Sequence, residues 1–173
     1  MSNMEKWIGV DQGCTKMLMT AQYNGQWIDK KVPTGLGVTK EYLHEQINAF
    51  IQELPFQPEG MGLGVVGLVQ DDELVLSDTE GLQGLKGSDF DLPCHILNDV
   101  KAATVEEASY YSDTDCMVLI MAGSGFALGV KEQAASCWVV MAGLVSWGLW
   151  CTRWTESCSL WIRFPADWAY WLA

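Results

Sequence analysis

Basic residues are scarce in this chain: ten Lys and Arg stand against 22 Asp and Glu, a formal charge of −12 with only two His. Nucleic-acid backbones are held by clustered Lys and Arg, so this balance argues against a nucleic-acid partner. Metal-type cysteine spacing is also missing. The six cysteines stand at positions 14, 94, 116, 137, 151 and 158 without a CxxC or CxxH pair, which supports neither a zinc site nor a redox couple. Residues 1–7 lack the basic start and long apolar run of an export signal, so a cytoplasmic location is expected, with Cys14, Cys94 and Cys116 as buried thiols. The length of 173 residues suits one domain with a real core and is short for a two-lobed enzyme.

Up to Gln133 the chain alternates short apolar runs, glycine turns and acidic positions, the grammar of an α/β domain. A different composition follows. Residues 134–173 hold seven of the nine tryptophans, at 138, 147, 150, 154, 161, 168 and 171, and only four charges, Arg153, Glu156, Arg163 and Asp167. Two expectations compete for this tail. Residues 133–152 carry no charge and approach the length of a membrane-crossing helix, but Ser136, Gly143, Ser146 and Gly148 dilute the stretch and no basic cluster follows. The other is a shifted reading frame, which can be tested because Trp and Met each have a single codon. Starting each codon at the third base of the given one forces glycine at the Trp138/Val139, Met141/Ala142 and Trp147/Gly148 junctions. Permitted codons between them can spell G-G-N-G-W-A-G-E-L-G. The expectation is therefore a domain at 1–133 and a frameshifted tail at 134–173.

Within the first part, residues 7–10 form a strand candidate that enters the turn 11–16, and 17–23 resume as a strand. Asn24-Gly25 is a hairpin signal returning into 26–32. Thr39 is a helix N-cap candidate, and Leu43, Ile47, Phe50, Ile51 and Leu54 recur at helical spacing until Pro55. Short strands are expected at 61–68, 73–76, 95–97 and 117–121, a helix at 100–111, and an irregular excursion at 79–91 of the kind that often carries function.

Three glycine-bearing turns and one acidic helix start carry the chemistry. Asp11-Gln12-Gly13-Cys14-Thr15-Lys16 suits phosphate: Gly13 permits close backbone approach, Thr15 offers a hydroxyl, Lys16 a charge, and Asp11 can hold a hydrated Mg²⁺. Turn statistics alone leave it an ordinary hairpin bend with a solvated Lys. Gly123-Ser124-Gly125 follows the most apolar strand, and its bland alternative is a β-turn. Asn98-Asp99 closes a buried strand and opens a helix. Asp at that position commonly caps, yet a carboxylate there can also serve as a base. Gly62, Gly64, Gly67 and Val69 superficially resemble a dinucleotide fingerprint, but no helix follows and Asp71-Asp72-Glu73 would repel pyrophosphate.

Taken in order, these pieces resemble the ROK branch of the actin and sugar-kinase superfold, whose first phosphate loop reads D-x-G-G-T-K. Cys14 departs from it by replacing a glycine. The resemblance covers most of residues 6–133. It implies an α/β fold, a ribonuclease-H-like mixed sheet with flanking helices, forming the N-terminal lobe of a two-lobe sugar kinase. It further implies ATP and Mg²⁺ as cofactors and a hexose or N-acetylhexosamine as substrate. Asp99 becomes the catalytic base, Gly64, Gly67, Asn98 and Asp99 contact sugar, and Asp11, Gly13, Thr15, Lys16, Gly123, Ser124 and Gly125 hold the nucleotide, with Asp11 reaching Mg²⁺ through water. A homodimer is compatible with it. Such kinases continue beyond the second loop as G-x-x-G-x-A-G-E-x-G-H, of which the shifted frame can supply G-x-x-G-x-A-G-E-x-G, at the expected distance, and the given frame none. The expected function is thus a truncated kinase lobe with little turnover. The alternatives are a non-catalytic sugar-binding or regulatory module, for which six residues before the first strand leave no DNA-reading helices, and a membrane-tethered binding domain.

Overall fold

The computed structural model describes residues 6–111, 114–122, 126–132, 136–142 and 158–163. Residues up to Asp99 cluster as one unit, and those from Val100 to Asp167 as a second. The fold is mixed α/β in both.

The first unit opens with an antiparallel meander, β1 (Trp7–Gln12), β2 (Lys16–Tyr23) and β3 (Gln26–Pro33). Asn24 and Gly25 take φ of 50° and 75°, the left-handed pair a two-residue hairpin needs, as the Asn-Gly signal predicts. Helix α1 (Lys40–Glu53) follows; the Thr39 hydroxyl accepts the Tyr42 amide at 3.3 Å, and the helix stops just before Pro55, which disfavours helical backbone at the residue preceding it. Strands β4 (Gly60–Val65) and β7 (Cys94–Asn98) complete a five-stranded sheet of order β3-β2-β1-β4-β7, in which β1, β4 and β7 run parallel.

Leu43, Ile47 and Phe50 of α1 join Ile8, Val10, Met17, Met19, Met61, Leu63 and Ile96 of the sheet in one apolar cluster. Burying each such side chain is worth about 1.5–3 kcal/mol, so the stripe read at helical spacing is what docks α1. Strand β2 is buried at five successive positions, 17–21, which means that both of its faces are covered. Its register is set from the turn end, where Met17 lies opposite Gln12.

Between β4 and β7 the chain forms a small ribbon, β5 (Leu68–Gln70) with β6 (Glu73–Leu76), then two 3-10 turns at Glu80–Leu82 and Gly87–Asp89. The excursion expected to be irregular is therefore partly anchored, by the buried Leu82 and Leu85. Asp72, at φ 62°, accepts the Ile96 amide of β7 at 2.7 Å and so occupies a backbone donor on the outermost strand. The acidic run at 71–73 thus has a structural task.

Helix α2 (Asp99–Ser109) begins on the last residue of the first stretch and otherwise belongs to the second unit, where β8 (Cys116–Ala122), β9 (Phe126–Glu132), β10 (Ser136–Ala142) and β11 (Cys158–Arg163) follow in sheet order β10-β9-β8-β11. Gly129 of β9 packs against Thr104 of α2 too closely for any side chain. Residues 136–142 are a strand, not part of the helical span weighed for 133–152, and no helix among the described residues is long and apolar enough to cross a membrane. Backbone pairing of this kind is permissive of sequence and does not bear on which frame encodes the tail. Of the three cysteines expected to be buried, only Cys94 is; Cys14 and Cys116 are half-buried. Cys14 sits in a turn, where surface is exposed by geometry.

Candidate active site

Parallel pairing aligns the carboxyl ends of β1, β4 and β7. Asp11 lies level with Gly64, and Gly64 with Leu97; one step on, Gln12 lies level with Val65, and Val65 with Asn98. The three strands then release the chain together, at Gly13, at Val66-Gly67 and at Asp99. The outer carboxyl edge of parallel strands is where open α/β sheets bind ligands, because the loops converge there.

The turn itself is shorter than the sequence suggests. Asp11 and Gln12 remain in β1, paired with Leu18 and Met17 on one side and with Gly64 and Val65 on the other, leaving only residues 13–15 as the bend. The Gly13 amide donates to the Lys16 carbonyl at 3.0 Å, and a Cβ on Gly13 would sit 3.0 Å from that same oxygen, so the tight closure favours glycine. Thr15 and Lys16 are exposed.

Asp11 is half-buried, and its carboxyl is pushed up from 3.8 to about 8, first by burial and then by the negative charge of Asp99, with Lys16 opposing. Burial and the charges of Asp99, Asp78 and Asp11 raise the Cys14 thiol. Asp11, Cys14, Lys16, Asp78 and Asp99 therefore share one electrostatic neighbourhood. A desolvated carboxyl beside a second acid is a place where added positive charge is favourable, which fits a hydrated Mg²⁺. Among the described residues, no group of three or more His, Cys, Asp or Glu could hold a metal. Magnesium habitually keeps its waters and binds through one or two carboxylates together with substrate phosphates, so the residues present suit an ion that arrives with a nucleotide.

Asn98 is 6% exposed, and its amide nitrogen donates to the Gly67 carbonyl at 2.9 Å and to Asp99 Oδ1 at 3.0 Å. These bonds tie the turn after β4 to the carboxyl at the start of α2. Gly67, at φ 138° and with the Leu76 carbonyl where a side chain would project, has no substitute at that bend. Ser77 adds a hydroxyl bond to the Val66 carbonyl at 2.6 Å.

The structure thus brings together Asp11, Gly13, Thr15, Lys16, Gly64, Gly67, Asn98 and Asp99. Gly123, Ser124 and Gly125 lie outside the described residues. Three further neighbours escape a reading of the sequence. Gln12 is fully buried beside the turn, Thr34 reaches it from the end of β3, and Asp78 approaches from the start of the excursion. Only Asp78 carries a signal, its place one residue before the irregular stretch at 79–91.

A model of the ROK family matches residues 7–136. The chain belongs to the ROK family. No curated protein matches the sequence. Among solved structures it is similar to a ROK glucokinase from Streptomyces griseus in complex with glucose and AMPPNP, at 23% identity over 78% of this chain and 48% of that one, TM-score 0.60. It is similar as well to a protein of Listeria monocytogenes described as an N-acetylmannosamine kinase candidate, at 18% identity over 72% and 46%, TM-score 0.62. A ROK transcriptional regulator, described as a homolog of an E. coli protein, matches at 17% over 83% and 41%, TM-score 0.62. The chain spans about half the length of the solved ROK kinases it matches.

Proposed function

We propose that this chain is the N-terminal lobe of an ATP-dependent sugar kinase that phosphorylates a hexose or N-acetylhexosamine hydroxyl. The observation that carries the reading is the convergence of three parallel strand ends on one edge, with Asp99 close enough to Asp11 to help raise its carboxyl. ATP with its Mg²⁺ supplies the phosphoryl group and the charge that balances its transfer.

The remaining work falls to residues of the chain. Asp99 accepts the proton of the sugar hydroxyl as that oxygen bonds to phosphorus and the bond to the departing ADP oxygen breaks. Asn98 fixes the Asp99 carboxyl through its amide, and Gly67 gives the sugar side a bend without a side chain. Gly13, Thr15 and Lys16 receive phosphate, with Gly123, Ser124 and Gly125 as the second phosphate loop. Asp11 would hold a hydrated Mg²⁺, whose charge would favour the ionised carboxylate.

Residues 134–173 we read as translated out of frame. Besides the three forced glycines, the Cys137/Trp138 junction forces leucine in the shifted frame, since both cysteine codons end in a pyrimidine. With permitted codons between them the stretch can read L-G-G-N-G-W-A-G-E-L-G, whose three forced glycines fall where the continuation that ROK kinases carry has glycine. Lacking the sugar contacts of that continuation, the 173-residue sequence has little or no turnover, because catalysis here is mainly positioning and electrostatics to which those contacts contribute. An ADP-release assay across a hexose panel tests this: background rates are expected, and robust sugar-dependent release by the 173-residue chain would overturn the out-of-frame reading of residues 134–173. The likeness to a ROK regulator favours a second reading, a sugar-binding module without catalysis. Sugar binding that survives Asp99→Asn, with no phosphoryl transfer in a frame-restored chain, would select it.

A further inference from the structure

The bend at residues 13–15 is held from two sides in a way that the kinase reading leaves unexplained. The Gly13 carbonyl accepts from Gln12 Nε2 at 3.0 Å and from the Thr34 hydroxyl at 2.8 Å, while the Thr34 amide donates to the Thr15 carbonyl at 3.1 Å. Gln12 is fully buried, and its Oε1 has no partner among the described residues. Exchanging the amide's O and N would set two acceptors face to face at Gly13, so the assignment stands. A buried, half-satisfied amide costs about 1–3 kcal/mol, and a leucine in its place would avoid that cost. Its remaining bond, to a loop carbonyl, points to a role other than stability.

Turning the Gly13–Cys14 peptide rotates ψ of Gly13 and φ of Cys14; the glycine end offers little steric resistance, and the turn decides whether the carbonyl or the following amide faces outward. An anion tolerates only the amide. The chain has no cis peptide bond among the described residues, and in a planar trans unit the Cys14 N–H points opposite to the Gly13 carbonyl. Drawing that carbonyl onto Gln12 and Thr34 therefore directs the Cys14 amide away from both donors.

We propose that Gln12 and Thr34 are positioning residues for nucleotide phosphate: together they lock the Gly13–Cys14 peptide so that the loop offers its amide, not its carbonyl, to the anion. The inference rests on the nucleotide reading of this loop. It assigns Thr34, at the end of β3, to the same site as the loop between β1 and β2.

The test is an NMR titration of the ¹⁵N-labelled 173-residue chain with Mg·AMPPNP, following the Cys14 amide, with thermal unfolding alongside. The parent is expected to show a saturating Cys14 shift. Thr34→Val should weaken the apparent affinity about tenfold, the effect of losing one hydrogen bond of roughly 1.4 kcal/mol, and Thr34→Ser should restore it. Gln12→Leu should weaken binding likewise while its melting temperature stays level or rises, a split that a purely structural residue would not give. Parental binding by Thr34→Val and Gln12→Leu overturns the lock and leaves the nucleotide reading standing. A parent whose 11–16 amides ignore Mg·AMPPNP overturns both.

Discussion

Asp11→Asn should make the protein more stable, and by an amount that depends on pH. The Asp11 carboxyl is raised from 3.8 to about 8 in the folded chain, so between those values it is protonated when folded and ionised when unfolded. The folded state then binds the extra proton, and its stability falls as pH climbs from about 4 to about 8, levelling off above. Each pH unit crossed within that window removes about 1.36 kcal/mol, so the ceiling on the loss at pH 7 is about 4 kcal/mol. Partial exposure and relaxation around the carboxyl reduce this to about 2 kcal/mol. An Asn has no proton to lose, so the two proteins should match at pH 4 and diverge progressively to pH 8. Urea denaturation of both across that range measures the difference. Parallel stability profiles would show that Asp11 titrates as an ordinary exposed acid, and the electrostatic coupling to Asp99 would fall with it.

Asp99→Asn removes the second cause of the raised Asp11 carboxyl, so the midpoint of Asp11's titration, followed by carboxyl ¹³C NMR, should move down. Gly67→Ala meets both a φ of 138° and the Leu76 carbonyl, and should cost about 2–4 kcal/mol in chemical denaturation; an effect under about 1 kcal/mol would mean that the bend adapts. Phe50→Ala, in the core under α1, should cost about 3–5 kcal/mol by the same measure. Cys94, buried and pushed up to about 12 by burial and Asp72, should resist iodoacetamide at pH 8.5 well after Cys14 has reacted; equal rates would contradict its placement.

Much of this architecture is legible in the sequence because local rules are sufficient for it. Asn24-Gly25 dictates the hairpin, and Thr39 and Pro55 bound a helix whose apolar stripe sits in the core. Asp11, Gly13 and Asp99 can be singled out because the chemistry proposed for them constrains residue types at short spacing. What stays hidden is long-range. Thr34 joins the loop from 21 positions away, and Asn98 grips Gly67 across 31, contacts that exist only once β1, β4 and β7 are in register. Gln12 gives no signal because a polar residue beside a turn is ordinarily solvated, whereas strand pairing on both sides buries it. The bend is narrower than the 11–16 motif for the same reason, since the first two residues of that motif belong to a strand that two neighbours flank.

Restoring the shifted frame downstream of Gln133 and measuring sugar-dependent ADP release tests the central claim most directly. The restored chain should phosphorylate a hexose or N-acetylhexosamine, and Asp99→Asn should cut that rate by about 10²–10⁴-fold. A restored chain inert toward every such sugar, or one indifferent to the loss of the Asp99 carboxyl, would contradict it.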